Sequence, residues 1–143
     1  MNDVFLDTVG LIAVWDDTDQ WHVGAKAAYA LLFGQRRKLV TTHLVLCECG
    51  NASARRTYRQ DVADLRKTLV QEGLVIEPSV REIEDGWTAY RRGEAVQAGI
   101  VDHIWFIVMR RLGITEVFTN DKHCVAARQP RIVGAIGQLA RDS

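Results

Sequence analysis

The stretch Val4-Phe5-Leu6-Asp7-Thr8 decides the predicted fold of this chain. Its first three residues are apolar and favour β-structure, so they predict a buried strand, and the residues from Asp7 to Gly10 predict a turn after it. An ionised carboxylate at the end of a buried strand is costly unless it is paired or binds a metal. Asp7 is therefore either a turn residue or part of a functional site.

Similar apolar runs recur along the chain, and helical patterns separate them. The later predicted strands are Leu39 to Thr41, Gly73 to Pro78 and Glu116 to Thr119, and Arg131 to Val133 can form a last one. Four predicted helices lie at Asp19 to Phe33, within Asn51 to Gln71, at Ile100 to Leu112 and at Asp121 to Arg128. Two more are predicted to begin after the cap residues Thr42 and Ser79. Strands that alternate with helices predict an α/β fold, here a three-layer α/β/α sandwich with a mostly parallel sheet. No repeat or linker divides the chain, so we expect one domain over residues 1–143.

Composition and charge exclude several classes of protein. Of the 143 residues, 48% are hydrophobic and 25% are charged, which excludes a disordered or low-complexity chain. The formal net charge of zero argues against a protein that coats nucleic acid through bulk basicity. That total conceals a basic block at residues 36–67, where eight basic and three acidic residues leave +5. The block is either a solvated helix face or a patch that meets a polyanion.

Neither a membrane span nor a secretory signal is expected. The longest apolar run, Ile104 to Met109, is too short to cross a bilayer, and the N-terminus has no basic segment followed by an apolar one. We therefore expect a cytoplasmic protein. Its three cysteines, Cys47, Cys49 and Cys124, fit no zinc or disulfide spacing, so we expect reduced and mostly buried thiols.

Four carboxylates occupy positions where a purely structural chain would rarely place them. Asp7 and Asp121 follow strand ends, where ligands collect in a parallel sheet. Asp102 lies at the start of the most apolar helix, and Glu48 interrupts an apolar helical stretch. Turn or cap roles explain the three aspartates one by one, and Glu48 is the hardest of the four to explain by a structural role. If all four acids converge, the cluster needs cations or partial protonation, and a set of oxygen ligands favours Mg²⁺ or Mn²⁺ over Zn²⁺.

The order of these residues resembles the PIN domain. The resemblance rests on Val4-Phe5-Leu6-Asp7-Thr8, Glu48 in the first long helix, Val101-Asp102 at a helix start and Phe118-Thr119-Asn120-Asp121 after the fourth strand. It covers nearly the whole chain, which is most similar to the VapC-type ribonuclease toxins of toxin/antitoxin pairs. The resemblance implies a metal-dependent endoribonuclease whose catalytic residues Asp7, Asp102 and Asp121, with Glu48, hold one or two Mg²⁺ or Mn²⁺ ions. RNA is the implied substrate.

The same resemblance implies partners for the chain. We expect a homodimer and a cognate antitoxin whose C-terminal segment covers the acidic groove. Thr8, Thr119 and Asn120 carry hydroxyl and amide groups suited to orienting the metal ligands. Trp15, Trp21 and Trp87 either line the groove or pack in the core. A general-base role for His103 or His123 is disfavoured, because a metal-activated water needs no imidazole.

Other functions remain as alternatives. A haloacid-dehalogenase phosphatase also begins with a strand that ends in Asp, but Val9 stands where its second Asp is needed, and the adjacent acids and late Lys of a receiver domain are missing. A stand-alone RNA-processing nuclease without an antitoxin is closer, and the lack of an appended domain favours the toxin over it. A non-catalytic PIN-like binding module is the last alternative, and the presence of all four acids favours an enzyme.

Overall fold

Strands and helices alternate along residues 3–121 and 131–132, the part of the chain that the computed structural model describes. They are β1 (Val4–Leu6), α1 (Thr8–Trp15), α2 (His22–Gly34), β2 (Leu39–Thr42), α3 (His43–Ala52), α4 (Arg59–Gln71), β3 (Val75–Ile76), α5 (Val80–Arg92), α6 (Ile100–Leu112), β4 (Glu116–Phe118) and β5 (Arg131–Ile132). All strand pairs are parallel, and the strand order in the sheet is β3-β2-β1-β4-β5. The prediction of an α/β fold with a parallel sheet flanked by helices is confirmed.

The most apolar segments of the sequence form the centre of the molecule. All three residues of β1 are fully buried, since β1 lies between β2 and β4. Helix α6 packs on it through Trp105, whose indole stacks on the Phe5 ring at 4.9 Å. The prediction that this helix is central is confirmed, because six of its residues, His103 to Phe106, Val108 and Met109, are buried.

Side-chain caps start two of the helices as the sequence predicted. The Thr42 side chain accepts a hydrogen bond from the Val45 N–H and begins α3. Ser79 begins α5 in a capping box, in which its hydroxyl accepts from the Glu82 N–H and the Glu82 carboxylate accepts from the Ser79 N–H. Both caps satisfy backbone donors that a helix start leaves without partners.

The predicted turn from Asp7 to Gly10 is wrong, because helix α1 begins directly after β1. Gly10, which looked like a turn signal, instead lets α1 lie close to the end of β4. A Cβ atom at this position would stand 2.6 Å from the carbonyl oxygen of Phe118. Close packing, and not chain reversal, explains the glycine.

Several smaller predictions need correction. β3 is shorter than predicted, and β4 ends one residue before Thr119. Of the thiols expected to be mostly buried, Cys49 is buried but Cys47 is exposed. The predicted helix from Asp121 to Arg128, together with His123 and Cys124, extends beyond the described residues. No helix within residues 3–121 is long and apolar enough to cross a membrane.

Candidate active site

The sheet topology brings the ends of two strands together. β1 has β2 on one side and β4 on the other, so the strand order reverses its direction at β1. Ligands of open α/β sheets commonly bind at such a topological switch point, at the carboxyl ends of the strands. Asp7 follows β1, and the Asp7 N–H donates to the carbonyl oxygen of Phe118 at the end of β4 at 3.1 Å. Residues Thr119 to Asp121 therefore begin beside Asp7.

Asp7 is a buried carboxylate in an unfavourable electrostatic environment. It is 2% exposed, and its Oδ2 accepts a hydrogen bond from the Thr119 hydroxyl at 2.8 Å. The pKa of Asp7 is raised to about 7, chiefly by burial and next by the charge of Asp102, with a smaller rise from Glu48, and the bond from Thr119 opposes this rise. The cause is that an anion loses hydration on burial and gains two anionic neighbours.

Glu48 reaches the same place from helix α3. Its Oε1 accepts a hydrogen bond from the Thr8 hydroxyl at 2.8 Å, and Thr8 is the first residue of α1. Burial raises the pKa of Glu48, and the charge of Asp102 adds to the rise. The acid that is hardest to explain in the sequence by a structural role therefore lies within electrostatic reach of both aspartates.

Asp102 lies in the first turn of α6, with a hydrogen-bond donor on each oxygen. Its Oδ2 accepts from the Gly99 N–H at 3.1 Å, and its Oδ1 accepts from the Trp105 indole N–H at 2.9 Å. The first bond caps the helix, so the cap role considered for Asp102 is real and coexists with its charge on Asp7. The bond from Trp105 was missed by sequence reasoning, although a tryptophan three residues after a helical aspartate is within reach of it.

Thr119 connects the fourth predicted acid to the cluster. Its Oγ1 donates to Asp7 and accepts from the Asp121 N–H at 3.1 Å. Asp7, Glu48 and Asp102 are thus coupled through their charges, whereas Asp121 is joined to them through this hydroxyl. Of the residues expected to orient ligands, Thr8 and Thr119 contact carboxylates, and Asn120 is buried beside Thr119.

The carboxylate donors suit a hard cation, although they do not form a complete coordination site. Among residues 3–121 and 131–132, no three His, Cys, Asp or Glu side chains converge as a complete ligand set. The coupled side chains offer only carboxylate oxygens, the donors that Mg²⁺ and Mn²⁺ prefer. A divalent cation beside Asp7 would favour its ionised form and so offset the rise of its pKa to about 7.

Solved structures of other proteins identify the fold. The crystal structure of VapC20 from Mycobacterium tuberculosis, a sarcin-ricin loop cleaving toxin, matches with a TM-score of 0.70 at 22% identity, over 87% of this chain and 95% of that one. PAE2754 from Pyrobaculum aerophilum matches with a TM-score of 0.61 at 21% identity, over 98% of this chain and 88% of that one. The fold is PIN-like. The predicted resemblance is confirmed at the level of fold. No protein-family model and no curated protein matches the sequence.

Within the PIN-like fold, the Cys49 thiol is buried and lies within electrostatic reach of Asp7 and Glu48. The pKa of Cys49 is raised to about 12, chiefly by burial and next by the charge of Asp7. Cys49 is fully buried, and in the metal-free protein its thiol therefore stays protonated at neutral pH.

Within the PIN-like fold, His103 and the three tryptophans considered for the groove have packing roles or lie at the surface. The His103 Nδ1 forms a hydrogen bond with the Gly99 carbonyl oxygen at 2.8 Å, and its ring packs edge-on against Tyr90 at 5.7 Å. Trp15 stacks on Tyr58, and Trp87 is 50% exposed on α5. Trp21 is partly buried against the core.

Proposed function

We propose that this protein is a metal-dependent endoribonuclease that cleaves RNA phosphodiester bonds. The observation that carries the proposal is the electrostatic coupling of buried Asp7 to Asp102 and Glu48, which together with burial raises the pKa of Asp7 to about 7. Three neighbouring carboxylates repel one another and destabilise the folded chain, so a purely structural explanation leaves the cluster without a purpose. A divalent cation offsets that repulsion and gives the cluster a function.

Each acid has a proposed role. Asp7 and Asp102 are direct ligands of Mg²⁺ or Mn²⁺, Asp121 completes the site, and Glu48 binds through water or positions the nucleophile. When bound, the cation supplies a Lewis acid that lowers the pKa of a water and offsets the charge developing on the departing oxygen. The Thr119 hydroxyl holds the Asp7 carboxylate, and the Thr8 hydroxyl holds that of Glu48.

The biological role that we propose is that of a toxin. A structure of the same fold belongs to a toxin that cleaves the sarcin-ricin loop, which supports RNA as the substrate class here. We further propose a homodimer and a cognate antitoxin that covers the acidic site. A stand-alone RNA-processing nuclease would have the same site without an antitoxin, and it is the second candidate.

The decisive experiment compares matched variants on structured RNAs. Purified parent protein should cleave with Mg²⁺ or Mn²⁺ and stop when EDTA is added. Asp7→Asn and Asp102→Asn should each reduce the cleavage rate by about 100-fold or more, because each removes a ligand charge. Asp64→Asn, on the exposed side of α4, is the matched control and should cleave like the parent. If folded Asp7→Asn and Asp102→Asn cleave as fast as the parent, the proposed function is wrong.

A further inference from the structure

A buried tryptophan holds one of the proposed metal ligands. The Trp105 indole N–H donates to Oδ1 of Asp102 at 2.9 Å, while the Gly99 N–H donates to Oδ2. A carboxylate oxygen can accept more than one contact, so these two bonds are compatible with the binding of a cation to Asp102. The two donors together fix the rotation of the carboxylate about its Cβ–Cγ bond.

The tryptophan is itself fixed by the core. Trp105 is 0% exposed, its ring stacks on Phe5 at an interplanar angle of 20°, and its edge meets Phe106 at 4.4 Å. Phe5 belongs to β1, the strand that ends at Asp7. The indole therefore ties the position of Asp102 on α6 to the strand that presents Asp7, which a solvent-exposed donor would not do.

We propose that Trp105 is a positioning residue of the metal site: its indole N–H sets the orientation in which Asp102 meets a divalent cation. This inference rests on the proposed metal-dependent function. Hydrogen-bond partners of metal ligands reduce the reorganisation needed on binding, and their loss typically weakens metal affinity by roughly 10- to 100-fold. The alternative is that Asp102 merely satisfies a buried indole N–H, in which case the metal does not sense Trp105.

The first test uses the parent protein. In a nitrogen-15 NMR titration with Mg²⁺, the indole N–H signal of Trp105 should move upfield as the cation withdraws charge from Asp102. The indole signal of Trp87, on the exposed face of α5, should stay in place. A Trp105 signal that does not move while Mg²⁺ saturates the protein overturns the inference.

The second test removes only the donor. Replacing Trp105 by 3-benzothienylalanine exchanges the N–H for sulfur and keeps the shape of the ring. Calorimetric titration with Mn²⁺ should then show binding roughly 10- to 100-fold weaker than that of the parent. Phe106→Leu alters the packing around the same ring and leaves the N–H in place, so it should bind Mn²⁺ nearly as the parent does.

The outcomes separate this inference from the proposed function. Unchanged Mn²⁺ affinity in the benzothienyl variant overturns the role of Trp105 and leaves the nuclease proposal standing. A Phe106→Leu variant that loses as much affinity as the benzothienyl variant also overturns it, because packing would then explain the effect. A parent protein that binds neither Mg²⁺ nor Mn²⁺ overturns both proposals.

Discussion

At the scale of single residues, the charge of Asp7 that the proposed function needs lowers the stability of the folded state. The native pKa of about 7, against an ordinary value of 3.8, means that the folded state holds this proton more tightly than the unfolded state does. Stability from Asp7 is therefore fully present below pH 4 and is lost as the pH rises to 7. The raised pKa of Glu48 acts in the same direction.

The Asp7→Asn variant tests this cost of the site. Without metal, it should be more stable than the parent at pH 8, by on the order of 4 kcal/mol, because asparagine carries no buried charge. The difference should shrink towards zero below about pH 3, where Asp7 is protonated in both states. Urea unfolding of metal-free protein at several pH values measures it.

A matched control and a metal arm complete that measurement. Asp64→Asn removes an exposed carboxylate and should follow the parent at every pH. Mg²⁺ should stabilise the parent more strongly at pH 8 than at pH 5, because binding requires ionised ligands. A parent whose stability does not fall between pH 4 and 7 would contradict the electrostatic account of Asp7.

At the scale of elements, the contact between α1 and β4 sets the geometry of the site. Gly10 lies one turn after Asp7, and a Cβ there would meet the Phe118 carbonyl oxygen at 2.6 Å, a backbone atom that cannot rotate away. The strand end that carries Thr119 is therefore held against the helix that follows Asp7. Any separation of α1 from β4 moves the Thr119 hydroxyl relative to the Asp7 carboxylate.

Two glycine substitutions should have opposite effects on stability. Gly10→Ala should lower the free energy of unfolding by about 1 to 3 kcal/mol through overpacking. Gly50→Ala, at an exposed position of α3, meets nothing within 4 Å and should raise it by up to about 1 kcal/mol, because alanine favours helix. Denaturant unfolding of both variants measures the two changes in the free energy of unfolding. Equal effects would show that α1 has room to move away from β4.

At the scale of the whole molecule, folding divides the basic block of residues 36–67. Arg37 is held by the buried carboxylate of Glu116 at 2.7 Å and is not available to a polyanion. Lys38 precedes β2 and so lies at the N-terminal ends of the parallel strands, opposite the C-terminal ends where Asp7 lies. Arg59 and Arg66 line a cavity of about 310 Å³ between α3 and α4. The zero net charge is thus a sum over basic and acidic residues that lie in separate parts of the molecule. We expect the affinity for RNA to depend only modestly on salt concentration.

Growth of a bacterial host tests the proposed toxin role. Expression of the parent should arrest growth, since cleavage of an essential RNA stops translation, whereas Asp7→Asn should permit it. Asp64→Asn should arrest growth like the parent. Growth curves with mapping of new RNA ends give the result. Normal growth with a parent protein that cleaves RNA when purified would favour the stand-alone nuclease.

The sequence by itself determined the fold class, and it predicted which four acids form the candidate site. Alternating apolar strands and amphipathic helices allow few arrangements other than a parallel α/β sheet, and Thr42 and Ser79 start helices through contacts three residues away. Such signals are local, so they can be recognised in the sequence without knowledge of the packing. The turn predicted at Gly10 failed because its partner, Phe118, is distant in the chain.

Only the tertiary structure decided how the acids act on one another. The raised pKa of Asp7 comes from burial and from Asp102, and the bond from Thr119 that opposes the rise spans 112 residues. The Trp105 bond lies only three residues from Asp102, yet it matters because β1 fixes the indole. Burial and long-range charge depend on the packed sheet, and no pattern along the chain contains them.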